Sequence, residues 1–314
     1  MGGGLSGNGE GGAPSGEGPR RGIRPPPSSP SPGSALSPRL PVSLFARDVV
    51  VCSLSSGSAG NATYIGDGHA GVLVDCGVST RATLNRMAEM GLADAPIDAV
   101  LVTHEHADHV GAAGVLSRRL RAQGRPVPFY MTRGTAEGLD ARCRPDGIEL
   151  VEPGTPFRVR HLLVDAFPVP HDTREPVAYR VCVGGTSVGV VTDLGRPTAL
   201  VARQIKRCDV VVLEFNHDEE LLQSGTYPWH LKQRIRGSHG HLSNRQASEL
   251  LAEGLHDGLR HVLLAHLSEE NNHPRLATDA AAATLTASGG PDVRLHLTNQ
   301  HAATPPVRVR AAQW

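Results

Sequence analysis

The chain has 314 residues, 39% of them hydrophobic and 20% charged, with 31 basic residues against 31 acidic ones. That balance excludes a global field drawing the protein to nucleic acid or an anionic membrane, so any such attraction has to be local. Aromatic residues at 4% leave little material for extended base-stacking platforms, and no apolar run approaches the ~20 residues of a membrane span.

Sixteen histidines are the unusual feature. Imidazole is the commonest metal ligand, so the surplus points to a metal site. The five cysteines (Cys52, Cys76, Cys143, Cys182 and Cys208) are odd in number and contain no Cys-x-x-Cys pair. They argue against a disulfide framework or zinc ribbon and suit a reducing cytoplasm, the expected location.

In chain order, residues 1–47 are dominated by Gly, Pro and Ser and cannot bury enough apolar surface to offset their ordering entropy. They read as a disordered tail, with Arg20, Arg21 and Arg24 solvated and no apolar core of a secretory signal. Order is expected from Asp48, where a β-branched run reads as a strand through Leu54. Ser55 to Asn61 follows as a small-residue turn, then strands at 62–65 and 71–75. The next predicted elements are a helix over 79–90 capped by Ser79, a strand over 99–103, a His-rich loop and a helix opening near Val110. Short strands fill 126–192. Beyond Pro197, helices alternate with strands at 210–213, 261–265 and 293–297. A folded domain over 48–298 and an irregular extension over 299–314 complete the organisation. Strand-rich halves with interposed helices predict an α/β fold of the αβ/βα sandwich type rather than a doubly wound sheet.

The strongest motif is His104-x-His106-x-Asp108-His109, directly after the strand that ends in Thr103. Two imidazoles two residues apart can converge on one metal while the Asp-His pair faces another, and a polar surface loop rarely gathers such a set. Downstream, His171, Asp193 and His266 each end an apolar strand. Singly, each could be a satisfied polar terminus; together they complete the donors that two metal ions need.

This spacing resembles the metallo-β-lactamase superfamily, and implies its four-layer αβ/βα sandwich. The resemblance implies that His104, His106 and His171 bind one metal and that Asp108, His109 and His266 bind the other. It also implies that Asp193 bridges them and that Asp75 orients a ligand histidine. Asp108, Asp75 and His241 form the candidate catalytic set. A narrower resemblance, to the YycJ/WalJ group of bacterial proteins, rests on Leu54 to Asn61, Glu214 to Asp218, Tyr227 to Trp229, Gly240 to Asn244 and Ala265 to Asn272. It implies a metal-dependent nuclease with 5′-to-3′ exonuclease activity on DNA.

Two metals serve phosphodiesters, lactams, lactones and thioesters alike. Three features favour a phosphodiester. Gly240-His241-Leu242-Ser243 precedes a predicted helix and resembles the Gly-His-Ser/Thr region of tRNA-processing relatives, which makes His241 the candidate general acid; a helix-capping or core role is its alternative. Lys232, Arg234, Arg236 and His239 beside Trp229 form a basic strip that would hold a phosphate backbone, unless it is a solvated helix face. Ser56, Ser58 and Asn61 lie in a loop whose N–H groups would bind phosphate, unless it is an ordinary turn. By resemblance, His217 joins Lys232 and Arg234 among the substrate-binding candidates. The reading is therefore a hydrolase with two Zn²⁺ or Mn²⁺ ions and a nucleic-acid substrate. A small lactone, lactam or thioester hydrolase and a non-catalytic metal-binding interaction protein are the competing classes.

Overall fold

The computed structural model describes residues 48–289 and 292–310, so the Gly/Pro/Ser tail, with Arg20, Arg21 and Arg24, lies outside the described residues. The first half contributes β1 (Asp48–Ser55), β2 (Ala62–Gly66), β3 (Gly71–Val74), α1 (Thr80–Glu89), β4 (Ala99–Leu101), α2 (Ala107–Val110), α3 (Ala113–Ala122), β5 (Phe129–Met131), α4 (Arg133–Gly138) and β6 (Ile148–Leu150). In the second half, β7 (Phe157–Val159), β8 (Leu162–Pro168), β9 (Val177–Val183) and β10 (Thr186–Val191) precede α5 (Ala199–Ile205), β11 (Val210–Glu214), α6 (Glu219–Ser224) and α7 (Trp229–Ile235). It closes with α8 (Asn244–Gly254), β12 (His261–Ala265), α9 (Pro274–Ala287), β13 (Arg294–Leu297) and β14 (Val307–Arg310).

These strands form two seven-stranded sheets, ordered β14-β1-β2-β3-β4-β5-β6 and β13-β12-β11-β10-β9-β8-β7. Side chains alternate across each strand, so every strand of a doubly covered sheet feeds two cores. In β1, Val49 and Val51 enter the core between the sheets, while Val50, Cys52 and Leu54 pack in the cluster that holds Met87 of α1 and Leu116 of α3. On the far side, Val211 and Leu213 of β11 join Val201 of α5, Leu250 of α8 and Ala277 of α9. Helices therefore cover both outer faces, giving the four-layer αβ/βα sandwich.

Within each sheet one block is parallel, β3 to β6 in the first and β10 to β13 in the second. Parallel strands end at a common edge, and ligands in such sheets collect beyond those carboxyl ends. No helix among the described residues is long and apolar enough to cross a membrane.

The expectation of an irregular extension beyond Asn299 is corrected at its end. Val307–Arg310 pairs antiparallel with β1, placing Val309 opposite Val49 and Val307 opposite Val51. The alternation explains it: Val307 and Val309 are buried in the inter-sheet core, and Arg308 and Arg310 are exposed. Replacing both valines by alanine removes four buried carbons, a loss of roughly 3 kcal/mol at about 0.8 kcal/mol per carbon. A urea titration should show the midpoint falling with an unchanged slope; an unchanged midpoint would show that the strand adds nothing to the fold.

Candidate metal centre

Three strand ends deliver carboxylates or imidazoles through an unusual backbone turn. Asp75 follows β3, Asp193 lies two residues past β10 and His266 follows β12, with φ of 63°, 60° and 55°. A non-glycine residue in this left-handed region costs of order 1–3 kcal/mol and persists only where its surroundings enforce it. Here each turn aims a side chain across the sheet edge. Close packing sets the opposite wall: a Cβ on Gly77 would lie 1.6 Å from the Asp108 carbonyl oxygen, so only glycine lets the α2 turn sit on that strand end.

Three imidazoles converge first. His106 Nδ1 lies 3.1 Å from His104 Nε2 and 3.3 Å from His171 Nε2. Such spacings match the edge of a tetrahedron of metal–nitrogen bonds of about 2.0–2.1 Å, which is about 3.3 Å. The outer nitrogens are anchored. His171 Nδ1 donates to the Gly240 carbonyl at 3.0 Å, and His104 Nδ1 lies 3.0 Å from Thr103 Oγ1.

A second group stands beside it. Nδ1 of His109 is 2.8 Å from Asp75 Oδ2, which leaves Nε2 facing Asp193 Oδ2 at 3.2 Å and Asp108 Oδ2 at 3.4 Å. His266 Nε2 lies 3.5 Å from Asp193 Oδ1 and 3.6 Å from Asp108 Oδ2. The buried Asp193 touches both groups, since its Oδ1 is also 3.9 Å from His171 Nε2. Thr103 donates its backbone N–H and its hydroxyl to Asp75, so that carboxylate is held from two sides.

The electrostatics follow from burial and neighbours. Burial disfavours charge on His109, but Asp193, Asp75 and Asp108 overcome it and hold the imidazole well above its usual range. His266 behaves alike, burial being outweighed by Asp193, Asp108 and Glu214, and rises to about 10. His104 and His171 are pushed down, chiefly by burial. The centre thus rewards positive charge near Asp193 while keeping two imidazoles neutral with free lone pairs. Asp193 Oδ2 and His266 Nε2 are buried with no hydrogen-bond partner. A divalent cation satisfies all of these demands, and the donor set fits one.

One functional residue carried no expectation from the sequence. Glu214, buried at the end of β11, accepts from Leu194 N–H at 3.0 Å and lies 2.7 Å from His241 Nδ1 through its other oxygen. Its carboxyl is lowered to about 2, burial being overcome by the His241 imidazole. The donor atoms of Asp193, Glu214, His241 and His266 also fall within 4.8 Å of one another. The short Glu214–His241 bond occupies Glu214 Oε1 and His241 Nδ1 and leaves His241 Nε2 outside it. The sequence signals of Glu214 were its place in the Glu214–Asp218 segment and a carboxylate ending an apolar strand, as at Asp193.

The substrate candidates separate. Ser58, Arg234 and His241 line a cavity of about 360 Å³ with His106, Asp108 and Asp193. His217 and Lys232 do not; they line a second cavity. The expectation that the Ser55–Asn61 loop offers free N–H groups is corrected. Ser56 N–H donates to the Asn299 carbonyl, Gly57 N–H to Asn61 Oδ1, Ala59 N–H to Gln300 Oε1, Gly60 N–H to the Gly57 carbonyl and Asn61 N–H to the Asp108 carbonyl. Ser56 and Asn61 instead support the centre. Ser56 Oγ accepts from His266 N–H at 2.8 Å, and Asn61 Nδ2 lies 3.0 Å from His109 Nε2.

This fold and donor set define a metal-dependent hydrolase of the metallo-β-lactamase fold. The family described as Beta-lactamase superfamily domain matches residues 71–267, and the chain belongs to it, within the group that holds YycJ and WalJ. It is 34% identical over 241 residues to Exodeoxyribonuclease YycJ of Bacillus anthracis, covering 75% of this chain and 89% of the relative. It is 32% identical over 262 residues to Exodeoxyribonuclease WalJ of Streptococcus pneumoniae, covering 80% and 95%. Among solved structures, the metallo-β-lactamase fold protein YhfI from Bacillus subtilis superposes with a TM-score of 0.62 at 17% identity, over 83% of this chain and 100% of that one.

Asp75 touches His109 but none of the converging donor atoms of the first group. Asp75→Asn should therefore keep the shape while weakening divalent-metal affinity by roughly 10–100-fold, as outer partners of ligand histidines do. Competition with a chromophoric chelator measures this, and unchanged affinity would remove Asp75 from the metal's support.

Proposed function

We propose that this chain is a nuclease that cuts phosphodiester bonds in nucleic acid with two divalent ions, acting on DNA in the 5′-to-3′ direction. His104, His106 and His171 would hold one ion, Asp108, His109 and His266 the other, with Asp193 between them. Imidazole and carboxylate suit Zn²⁺ and Mn²⁺ alike. When bound, such ions acidify water and neutralise charge on phosphoryl oxygens.

The Glu214–His241 pair is the observation that carries the phosphodiester reading. Glu214 fixes the ring by its Nδ1, which leaves Nε2 as the atom that would give a proton to a leaving oxygen. An alkoxide leaving from phosphorus needs that proton. Beside it, Arg234 binds Asp172 through Nε, so its terminal nitrogens remain to meet a phosphate. The names of the YycJ and WalJ relatives support DNA as the substrate.

End-labelled single- and double-stranded DNA and RNA, incubated with Mn²⁺ or Zn²⁺, test this directly. Metal-dependent cleavage of DNA, lost in Asp108→Ala and His109→Ala, is expected, and the product ladder reads the polarity. Two bound metals without cleavage of any strand would sink the phosphodiester reading and turn attention to lactones and thioesters.

His241→Gln should lower kcat by roughly 10²–10⁴-fold at unchanged metal content. The defect should shrink on a p-nitrophenyl phosphodiester, whose leaving group needs no proton. An equal loss on both substrates would deny His241 the role of acid.

A further inference from the structure

The basic strip is divided by its own helix. On α7 and its C-cap Arg236, Leu231, Arg234 and Ile235 face the metal cleft, whereas Trp229, Lys232 and Arg236 face a separate cavity of about 240 Å³. Spacings of three and four residues put the latter three on one helical face, so the division follows from the period of the helix.

That second cavity is built as a receptor. Trp229 is 63% exposed and is the most exposed large apolar side chain among the described residues. Arg236 makes no ion pair among the described residues. Lys232 Nζ is held by the carbonyls of Gln223 at 2.7 Å and Gly225 at 2.6 Å, which fixes it at the end of α6 and leaves one of its three hydrogens. Arg245 also lines the cavity and is paired with Glu219, the one carboxylate there, so the wall carries an excess of positive charge. His217 supplies the independent sign of a ligand. It is 2% exposed, it lines the cavity, and its Nδ1 is buried without any hydrogen-bond partner.

His217 also ties this cavity to the centre. It follows Asn216, which lines the metal cleft and touches His266. The two cavities flank one helix, and a helix with its side chains is about 10 Å across. Stacked nucleotides advance about 3.4 Å each along a strand. A single strand therefore reaches from one cavity to the other within a few nucleotides, and a cavity of about 240 Å³ is too small to hold a duplex.

We infer that the cavity lined by Trp229, Arg236 and His217 is a nucleotide subsite for a single strand whose scissile bond lies at the metal centre. The inference rests on the nuclease reading. Trp229 stacks on the base, Arg236 and Lys232 meet the phosphate, and the His217 ring hydrogen-bonds the base or sugar. The subsite rewards strands long enough to fill it and gives no sequence preference, because every base offers a stacking face.

The test compares kcat/KM for single-stranded DNA from two to ten nucleotides with the metal-loaded full chain. The wild type should gain with length until the subsite fills and then level off. Trp229→Ala and Arg236→Gln should each lower the ten-to-two-nucleotide ratio by roughly fivefold or more. Trp229→Phe should restore it and Trp229→Leu should not, which separates stacking from plain apolar packing. A ratio unchanged in the alanine and glutamine variants, while the wild type still cuts DNA, would overturn the subsite and leave the nuclease reading intact. A wild type that neither cuts strands nor binds a fluorescent ten-nucleotide strand in chelator would overturn both.

Discussion

Buried negative charge sets the terms for the rest of the molecule. Asp75, Asp193 and Glu214 lie out of water at the edge where both sheets end, and Asp108 joins them half-covered. A buried carboxylate without a partner is costly, so each needs a specific answer. Asp75 has Thr103 and His109, and Glu214 has Leu194 N–H and His241. Asp193 alone keeps an oxygen with no hydrogen bond, at the point where both histidine groups meet. Asp193, left with an unsatisfied oxygen, is thus the carboxylate placed between the two histidine groups, and the strained turns at Asp75, Asp193 and His266 are the backbone cost of that placement.

The same constraint makes the two halves interdependent. His104, His106, Asp108 and His109 come from the first sheet's loops, and His171, Asp193 and His266 from the second. The Ser55–Asn61 turn locks them together: Ser56 holds the His266 backbone, Asn61 holds the Asp108 backbone, and Gln300 fastens the turn through the Ala59 N–H and the Gly60 carbonyl. What looks like a ligand loop is a clasp between the halves.

Much of this was legible in the residues. An apolar strand that ends in His or Asp violates the pattern of its own run, and that conflict marked His171, Asp193 and His266. Glu214 made the same signal but stood only within the Glu214–Asp218 segment of the narrower resemblance, with no role of its own. The role of the Ser55–Asn61 loop was illegible, because the Ser56 and Ala59 N–H groups are answered by Asn299 and Gln300, some 240 residues away. By contrast, Val307-Arg308-Val309-Arg310 alternates with the period of a strand, and its flanking Pro and Ala residues masked a readable signal. The sandwich was legible in strand-rich halves with interposed helices, and its four layers only through the resemblance; the burial of both sheet faces that the structure shows accounts for near-continuous β-branched runs such as Val188–Val191 and Val210–Leu213. The left-handed turns have no such signature: Asp and His occur there only when tertiary contacts insist.

The segment around α7 shows why the chemistry of the centre and the choice of substrate are linked. No residue of this helix is buried, so its own packing does not hold it. It is held at its ends: Arg234 bonds Asp172, the neighbour of His171, and Gly240 packs so tightly that a Cβ there would lie 2.1 Å from the Ile235 carbonyl oxygen. The Gly240 carbonyl in turn accepts from His171 Nδ1. His171, the Gly240–His241 turn and α7 therefore share one chain of contacts. On the proposed nuclease reading, a strand that presses on α7 would act on the residues that position His171 and His241, so substrate contacts and catalytic geometry would be adjusted by the same few atoms. A small lactone or thioester, touching only the cleft, would have no use for the outer face of that helix.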